Sequence, residues 1–208
     1  MTDKVRKWEP INKRQEEVLR RSEFELGIGG NRGGGKSEVS IVKLLNEECL
    51  HHPQYRFLVL RKNSQDLEDW IFKFKTFTAG HIDIGGKPTT IKLPGGGLGT
   101  LGHMANKDSW SHYIGHEYVK ILIEELNLWP EEQQYLMLFG SCRTSVPELQ
   151  KHCQVMSSFN PGNVGHQWIK KRFIDKCFEK PYMDPVSGLF RIFIQLKLQE
   201  NGPGRTTA

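Results

Sequence analysis

Eight consecutive residues near the N-terminus have the composition of a phosphate-binding loop. They fit the pattern G-x-x-x-x-G-K-[ST] and are Gly30, Asn31, Arg32, Gly33, Gly34, Gly35, Lys36 and Ser37. Glycines let backbone N–H groups turn inward around phosphate oxygens, and the N-terminus of a following helix adds its positive end. Lys36 is expected to reach the β- and γ-phosphates, and Ser37 to ligate Mg²⁺. The loop therefore predicts binding of ATP with Mg²⁺, the alternative being a glycine-rich turn that binds nothing.

Two adjacent carboxylates follow an apolar segment downstream of this loop. Residues 118–123 (YVKILI) have the composition of a strand, and Glu124 and Glu125 come directly after it. The carboxyl ends of parallel strands face the ligand crevice of a sheet. We therefore predict that Glu124 holds the metal, directly or through water, and that Glu125 orients and deprotonates an attacking water. A solvated glutamate pair at the start of a helix is the alternative.

A third polar element, residues 157–162 (SSFNPG), follows another short apolar segment. The amide of Asn160 is of a type that hydrogen-bonds a γ-phosphate or its attacking water, and losing that bond on hydrolysis would be a switch signal. A plain Asn-Pro turn explains the same residues equally well.

The elements that must position these residues alternate between strand and helix. Hydrophobic periodicity predicts helices at 11–22, 36–50, 64–77, 130–140 and 166–178, and strands at 23–28, 55–60, 118–123, 154–158 and 189–198. Such alternation favours an α/β fold of the P-loop NTPase class (RecA/ASCE-like), with a mainly parallel central sheet flanked by helices. A glycine-rich stretch near 88–103 predicts a β-hairpin insertion. The domain is predicted to span 1–198, with a flexible tail at 199–208.

The overall composition is that of a soluble globular protein, with 208 residues, 37% hydrophobic and 25% charged. No apolar run approaches the ~18 residues of a membrane helix, and the charged N-terminus lacks a signal-peptide core. The four cysteines lack metal-ligand spacing, which agrees with a cytosolic setting. A net charge of +5 permits contact with nucleic acid but does not demonstrate it. The clusters Arg61-Lys62 and Lys170-Lys171-Arg172 are either DNA contacts or solvated basic faces.

Together these segments resemble the ATPase domain of tailed-phage terminase large subunits, the motors that pump viral DNA into a capsid. The order matches: a Pro-x-x-x-x-Gln segment at 10–15, the phosphate loop with an internal arginine, a strand with two acids, and a strand that ends in Ser-x-Asn-Pro. The stretch 160–173 (NPGNVGHQWIKKRF) carries the most specific likeness. The resemblance covers residues 8–198.

The resemblance implies roles for individual residues. Gln15 would lie near the adenine, and Arg32 would contact the γ-phosphate or couple to the neighbouring helix. Glu125 would be the catalytic carboxylate, while Ser158 and Asn160 would couple hydrolysis to DNA movement. The implied partners are double-stranded DNA, a portal protein and a small terminase subunit. The implied assembly is a pentameric ring on the capsid, or a monomer in isolation, in the cytoplasm of the infected host bacterium and away from membranes.

Some features depart from the family pattern. The first acid of the strand is commonly Asp in such motors, and here it is Glu124. Some relatives use an arginine in trans just before the glycine that precedes the acidic strand, but Ile114 precedes Gly115 here. A trans-acting arginine must then come from elsewhere, Arg143 being one candidate, or be absent. Full-length relatives carry a C-terminal nuclease domain, and this chain ends before one could start, so we expect an isolated domain or a truncated product. A P-loop phosphotransferase and a nucleotide-dependent scaffold without turnover remain alternative functions.

Overall fold

Nine strands form one sheet in the computed structural model, which describes residues 8–31, 33–106 and 108–197. In chain order they are β1 (Glu25–Gly30), β2 (Arg56–Arg61), β3 (Asp83–Gly85), β4 (Thr90–Lys92), β5 (Leu98–His103), β6 (Lys120–Ile123), β7 (Gln154–Ser158), β8 (Tyr182–Met183) and β9 (Phe190–Leu196). Their order across the sheet is β3-β4-β5-β2-β6-β7-β1-β9-β8.

The six central strands, from β5 across the sheet to β9, are all parallel, and antiparallel pairs occur only towards the two edges. At one edge β4 pairs antiparallel with β5 and β3 with β4, so the predicted hairpin near 88–103 is confirmed. At the other edge β8 pairs antiparallel with β9. Strand β7 lies between β1, which leads into the glycine-rich loop, and β6, which leads into the two acids. The predicted α/β fold with a mainly parallel sheet is confirmed.

The described chain has eight α-helical segments, of which the first precedes β1 and the others lie between strands. They are α1 (Lys13–Arg20), α2 (Lys36–Leu44), α3 (Glu47–Leu50), α4 (Asp66–Phe77), α5 (Glu132–Leu136), α6 (Pro147–Gln150), α7 (His166–Ile169) and α8 (Asp175–Cys177). A π-helical turn, Lys170–Ile174, joins α7 to α8. The single helix predicted at 36–50 is two helices, because the side chain of Asn46 accepts a hydrogen bond from the backbone N–H of Glu48 and starts α3.

Helices cover both faces of the sheet, and each face has its own hydrophobic cluster. In β2, Phe57 and Val59 belong to the cluster that includes Val39 of α2 and Trp70 of α4. Their neighbours in β2 point the other way, into a cluster that includes Trp129, Tyr135 and Phe173. Every residue of β1, β6 and β7 is buried. Parallel strands have this uniform burial when helices cover both faces of the sheet.

None of the helices in the described part of the chain is long and apolar enough to cross a membrane. The tail predicted at 199–208 lies outside the described residues, and the domain limit at residue 198 stays a prediction.

Candidate active site

The glycine-rich loop connects the end of β1 to the first residue of α2. Gly30 has a φ of +127°, and a Cβ there would lie 1.8 Å from the carbonyl oxygen of Leu196. Gly35 has a φ of +75° as the residue that precedes α2, and a Cβ there would lie 2.4 Å from Nε2 of Gln15. Glycine is therefore required at both ends of the loop. Arg32, the predicted γ-phosphate contact, lies outside the described residues.

Lys36 is folded back over this loop. Its Nζ donates hydrogen bonds to the carbonyl oxygens of Gly30 at 3.0 Å and Asn31 at 2.8 Å. Partial burial lowers the pKa of Lys36, and the negative charge of Glu124 acts in the opposite direction. The ammonium group therefore lies within the loop, where a phosphate chain would replace its two carbonyl acceptors.

Ser37 and Glu124 meet although 87 residues separate them in the chain. The Ser37 hydroxyl donates to Oε2 of Glu124 at 3.3 Å, and Arg61 Nη2 donates to the same oxygen at 2.7 Å. Glu124 is 1% exposed, and its other oxygen, Oε1, is buried without a hydrogen-bond partner among the described residues. A hydroxyl beside a buried carboxylate oxygen is a donor set that suits a hard cation such as Mg²⁺.

Glu125 has a left-handed backbone, with a φ of 57° and a ψ of 44°. For a residue other than glycine, this conformation is about 1–2 kcal/mol less favourable than a right-handed one. Such backbone strain concentrates at functional sites. The side chain is 43% exposed, and its Oε2 lies 3.8 Å from Nη1 of Arg61. The carboxylate is therefore accessible to water beside the buried Glu124.

The register of the sheet brings Asn160 to the same edge as the loop and the acids. Ser158 pairs with Ile28 of β1, and Ser157 pairs with Ile123 of β6, so these strands end in one row. The backbone N–H of Asn160 donates to Oδ1 of Asn127 at 3.3 Å. The Oδ1 atom of Asn160 is buried with no hydrogen-bond partner in the described part of the chain.

Gln15 lies against the C-terminal end of the loop. It is fully buried, and its Oε1 accepts a hydrogen bond from the backbone N–H of Ile11 at 2.8 Å. Its Nε2 lies close to Gly35 and has no hydrogen-bond partner among the described residues. The position beside the loop is established, and its contact with adenine stays a prediction.

Ile114 and Arg143 lie away from this cluster. Arg143 Nε lies 3.5 Å from the carboxylate of Glu117, which precedes β6, whereas the two acids follow the end of β6. Ile114 is 52% exposed. Its neighbour Gly115 lines a surface pocket with Arg56 and Leu98, the first residues of β2 and β5. Within one chain, Arg143 and Ile114 are therefore at the amino-terminal edge of the parallel strands, opposite the loop.

Two residues of the site, Arg61 and Asn127, are not assigned to it by the sequence. The pattern identifies Arg61 only as a basic residue after a strand, and it does not single out Asn127. A charged residue at the carboxyl end of a strand in a predicted parallel sheet is the available signal for Arg61. No local sequence signal identifies Asn127, because its role depends on a hydrogen bond with Asn160, 33 residues further along the chain.

Arg61 and Arg172 do not belong to exposed basic clusters, so the interpretation of these two arginines as surface residues is wrong. Arg61 is 7% exposed because it pairs with Glu124. Arg172 has a side chain that is 10% exposed and donates to both carboxylate oxygens of Glu25, each at 2.7 Å. Buried carboxylates draw these guanidinium groups inward, so neither is part of a solvated basic face.

No family model and no curated protein sequence matches this chain. Solved structures do match. The large terminase of a thermophilic bacteriophage is 17% identical with a TM-score of 0.70, covering 95% of this chain and 48% of that one. The complex of that terminase with ATP-gamma-S gives 16% identity and a TM-score of 0.67, covering 95% and 47%. The N-terminal domain of the DNA packaging ATPase from bacteriophage phi29 is 12% identical with a TM-score of 0.56. That match covers 91% of this chain and 97% of the phi29 domain.

These likenesses establish the fold. The predicted resemblance to the ATPase domains of large terminases is confirmed at that level, since the matched structures cover most of this chain with TM-scores above 0.5. The chain spans about half the length of the large terminase from the thermophilic bacteriophage.

Proposed function

We propose that this chain is the ATP-hydrolysing motor domain of a viral large terminase, which drives double-stranded DNA into a procapsid. The observation that carries the proposal is the meeting of Ser37 with Glu124 at 3.3 Å, at the helix that follows a glycine-rich loop. Glu125 comes next in the chain and is accessible to water. The fold supports the same function, because the large terminase of the thermophilic bacteriophage has been solved with ADP and with ATP-gamma-S.

The residues of the site suggest how each contributes to hydrolysis. The backbone N–H groups of the loop and the N-terminus of α2 would bind the phosphates, and Lys36 would exchange its carbonyl acceptors for phosphate oxygens. Ser37 and Glu124 would hold Mg²⁺, which supplies charge neutralisation on the phosphates. Glu125 would orient water for in-line attack and accept its proton. Catalysis then comes from positioning and charge neutralisation.

Three further residues complete the proposed site. Gln15 would contact the adenine, since its unpartnered Nε2 lies beside the loop. Asn160 would hydrogen-bond the γ-phosphate or the water through its buried Oδ1. Arg32, inside the loop, would contact the γ-phosphate.

The proposed partners are those of a packaging motor: double-stranded DNA, a portal protein and a small terminase subunit. We propose that the chain acts as a pentameric ring on the procapsid in the cytoplasm of an infected bacterium. Because Arg143 lies opposite the loop in its own chain, it would reach a γ-phosphate only across a subunit boundary.

Phosphate release from Mg·ATP, measured with double-stranded DNA and portal present, tests the assignment. Lys36→Ala should lower the rate by about 10²-fold or more, because it removes the charge that acts on the transferring phosphate. Lys75→Ala removes an exposed lysine of α4 and should leave the rate unchanged. A Lys36→Ala protein with the wild-type rate would contradict the proposal. Nucleotide binding without phosphate release would favour a scaffold, and transfer to an acceptor other than water would favour a phosphotransferase.

A further inference from the structure

Arg61 contacts both carboxylates of the candidate site. Its Nη2 lies 2.7 Å from Oε2 of Glu124, and its Nη1 lies 3.8 Å from Oε2 of Glu125. The sheet produces this contact, because Leu60 of β2 pairs with Ile123 of β6. Arg61 follows Leu60 at the end of β2, and Glu124 follows Ile123 directly after β6. The backbone N–H of Glu124 also donates to the carbonyl oxygen of Leu60 at 2.9 Å. The arginine is therefore fixed beside the acid by strand register.

The contact leaves Glu124 with two different oxygens. Oε2 accepts hydrogen bonds from Arg61 and Ser37, whereas Oε1 is buried and has no hydrogen-bond partner among the described residues. A buried carboxylate oxygen without a partner is costly, so the arrangement is favourable only where a ligand completes it. A glutamate side chain also has one more rotatable bond than an aspartate, and a partner that holds one oxygen removes that freedom.

We infer that Arg61 is a positioning residue for the divalent cation: it holds Glu124 by Oε2 so that Oε1 is free to ligate the metal. The inference rests on the proposed function and adds a residue that acts through Glu124 without touching the metal. The opposite role, in which Arg61 competes with the cation for Glu124, predicts tighter metal binding when the arginine is removed.

Binding of Mn²⁺ in the presence of ADP tests the inference without any catalytic turnover. Free Mn²⁺ is measured by electron paramagnetic resonance. ADP binding is measured separately, with a chelator present to remove free metal ions. Arg61→Gln should weaken Mn²⁺ binding about tenfold or more, as loss of the partner of a metal-ligating carboxylate does, while ADP affinity in chelator stays unchanged. Arg61→Lys should recover part of the loss. Arg56→Gln makes the same charge change at the other end of β2, where Arg56 lies over Tyr118, and should have no effect.

A double-mutant cycle with Glu124→Asp distinguishes action through Glu124 from a general electrostatic effect. The shorter carboxylate should not keep the contact with Arg61, so Arg61→Gln should cost little more in the Glu124→Asp protein. If Arg61→Gln does not fold, Arg61→Lys replaces it in both measurements. It should then weaken Mn²⁺ binding relative to the wild type, and it should cost less in the Glu124→Asp protein.

The outcomes separate this inference from the proposed function. Unchanged or tighter Mn²⁺ binding in a folded Arg61→Gln protein, or full additivity with Glu124→Asp, would overturn the role of Arg61 alone. A wild-type protein that binds neither ADP nor Mn²⁺ would overturn the proposed function and this inference together.

Discussion

Glu125 combines an accessible carboxylate with a left-handed backbone, and the two features have a common origin. The chain leaves β6 through Glu124, whose side chain is buried, and must then turn into the 3₁₀ turn Leu126–Leu128. The φ of 57° at Glu125 makes that turn and leaves its carboxylate 43% exposed beside the buried acid. At the scale of single residues, backbone strain and the proposed catalytic role therefore occur at the same position.

Replacing Glu125 by Gln should slow hydrolysis strongly while leaving nucleotide binding intact. Glutamine keeps the size of the side chain but accepts no proton from water, so we expect the rate of phosphate release to fall about 10²–10⁴-fold. The rate and the affinity for ATP-gamma-S should be measured on the same preparation. Glu148→Gln, at an exposed position of α6, is the matched control. A large loss of affinity in Glu125→Gln would indicate a binding role instead.

We expect Lys43 to make the free energy of unfolding depend on pH. Its Nζ donates to the carbonyl oxygens of Leu19 at 2.9 Å and Arg21 at 2.7 Å, and burial, assisted by the charge of Lys120, lowers its pKa to about 7. The pKa of an unfolded lysine is about 10.4, so between these values the unfolded chain binds more protons. The free energy of unfolding should therefore rise with pH from about 7 towards about 10, by at most about 1.4 kcal/mol per pH unit from this group.

Urea denaturation at a series of pH values checks this expectation. The Lys43→Met protein should show a smaller increase in unfolding free energy between about pH 7 and pH 10 than the wild type, because the buried lysine is gone. Lys75→Met, at an exposed position, should keep the wild-type slope. Parallel curves for wild type and Lys43→Met would contradict the lowered pKa.

At the scale of elements, the sequence predicts the order of strands and helices better than their interruptions. Periodicity shows which face of a segment is apolar, so it predicts one helix at 36–50, and the capping by Asn46 is not visible in the pattern. The helix predicted at 166–178 likewise contains the π-helical turn, where Arg172 reaches Glu25. The loop and both acids can be predicted from local motifs, whereas Arg61 and Asn127 act through neighbours supplied by the sheet.

Arg172 should contribute strongly to stability, because it connects the π-helical turn Lys170–Ile174 to Glu25 of β1. Its guanidinium donates to Glu25 and, at 2.8 Å, to Glu132 of α5, and it lies over the ring of Tyr135. Without Arg172, the buried carboxylate of Glu25 keeps only the Tyr135 hydroxyl at 3.0 Å and the more distant Arg191 Nη1 at 3.8 Å. Arg172→Met should therefore lower the free energy of unfolding, by up to about 3–5 kcal/mol. Chemical denaturation measures the loss.

The neighbouring Lys170 provides the control for that measurement. It pairs with Asp175 at 2.6 Å, but its side chain is 50% exposed. Exposed pairs contribute about 0–1 kcal/mol, so Lys170→Met should change stability little. Equal losses in the two variants would contradict the assignment of Arg172 as a buried anchor.

At the scale of the whole molecule, the site exists only when the sheet is complete. Ser37 follows β1, Arg61 ends β2, Glu124 follows β6 and Asn160 follows β7, and these strands are neighbours in the central part of the sheet. The contacts that define the site span 63 residues from Arg61 to Glu124 and 87 from Ser37 to Glu124. Nucleotide binding should consequently be coupled to global folding, since an unfolded chain brings none of these groups together.

Thermal unfolding measures that coupling. A ligand that binds only the folded state at about 100 times its dissociation constant adds about 2.7 kcal/mol of stability, which in a domain of this size raises Tm by about 5–10 °C. Wild-type protein with Mg·ATP-gamma-S should show a rise of that order, and Lys75→Ala the same rise. Lys36→Ala should show little, because the loop loses the cation that contacts the phosphates. An equal rise in Lys36→Ala would place the nucleotide somewhere other than the loop, since both variants share every other element of the fold.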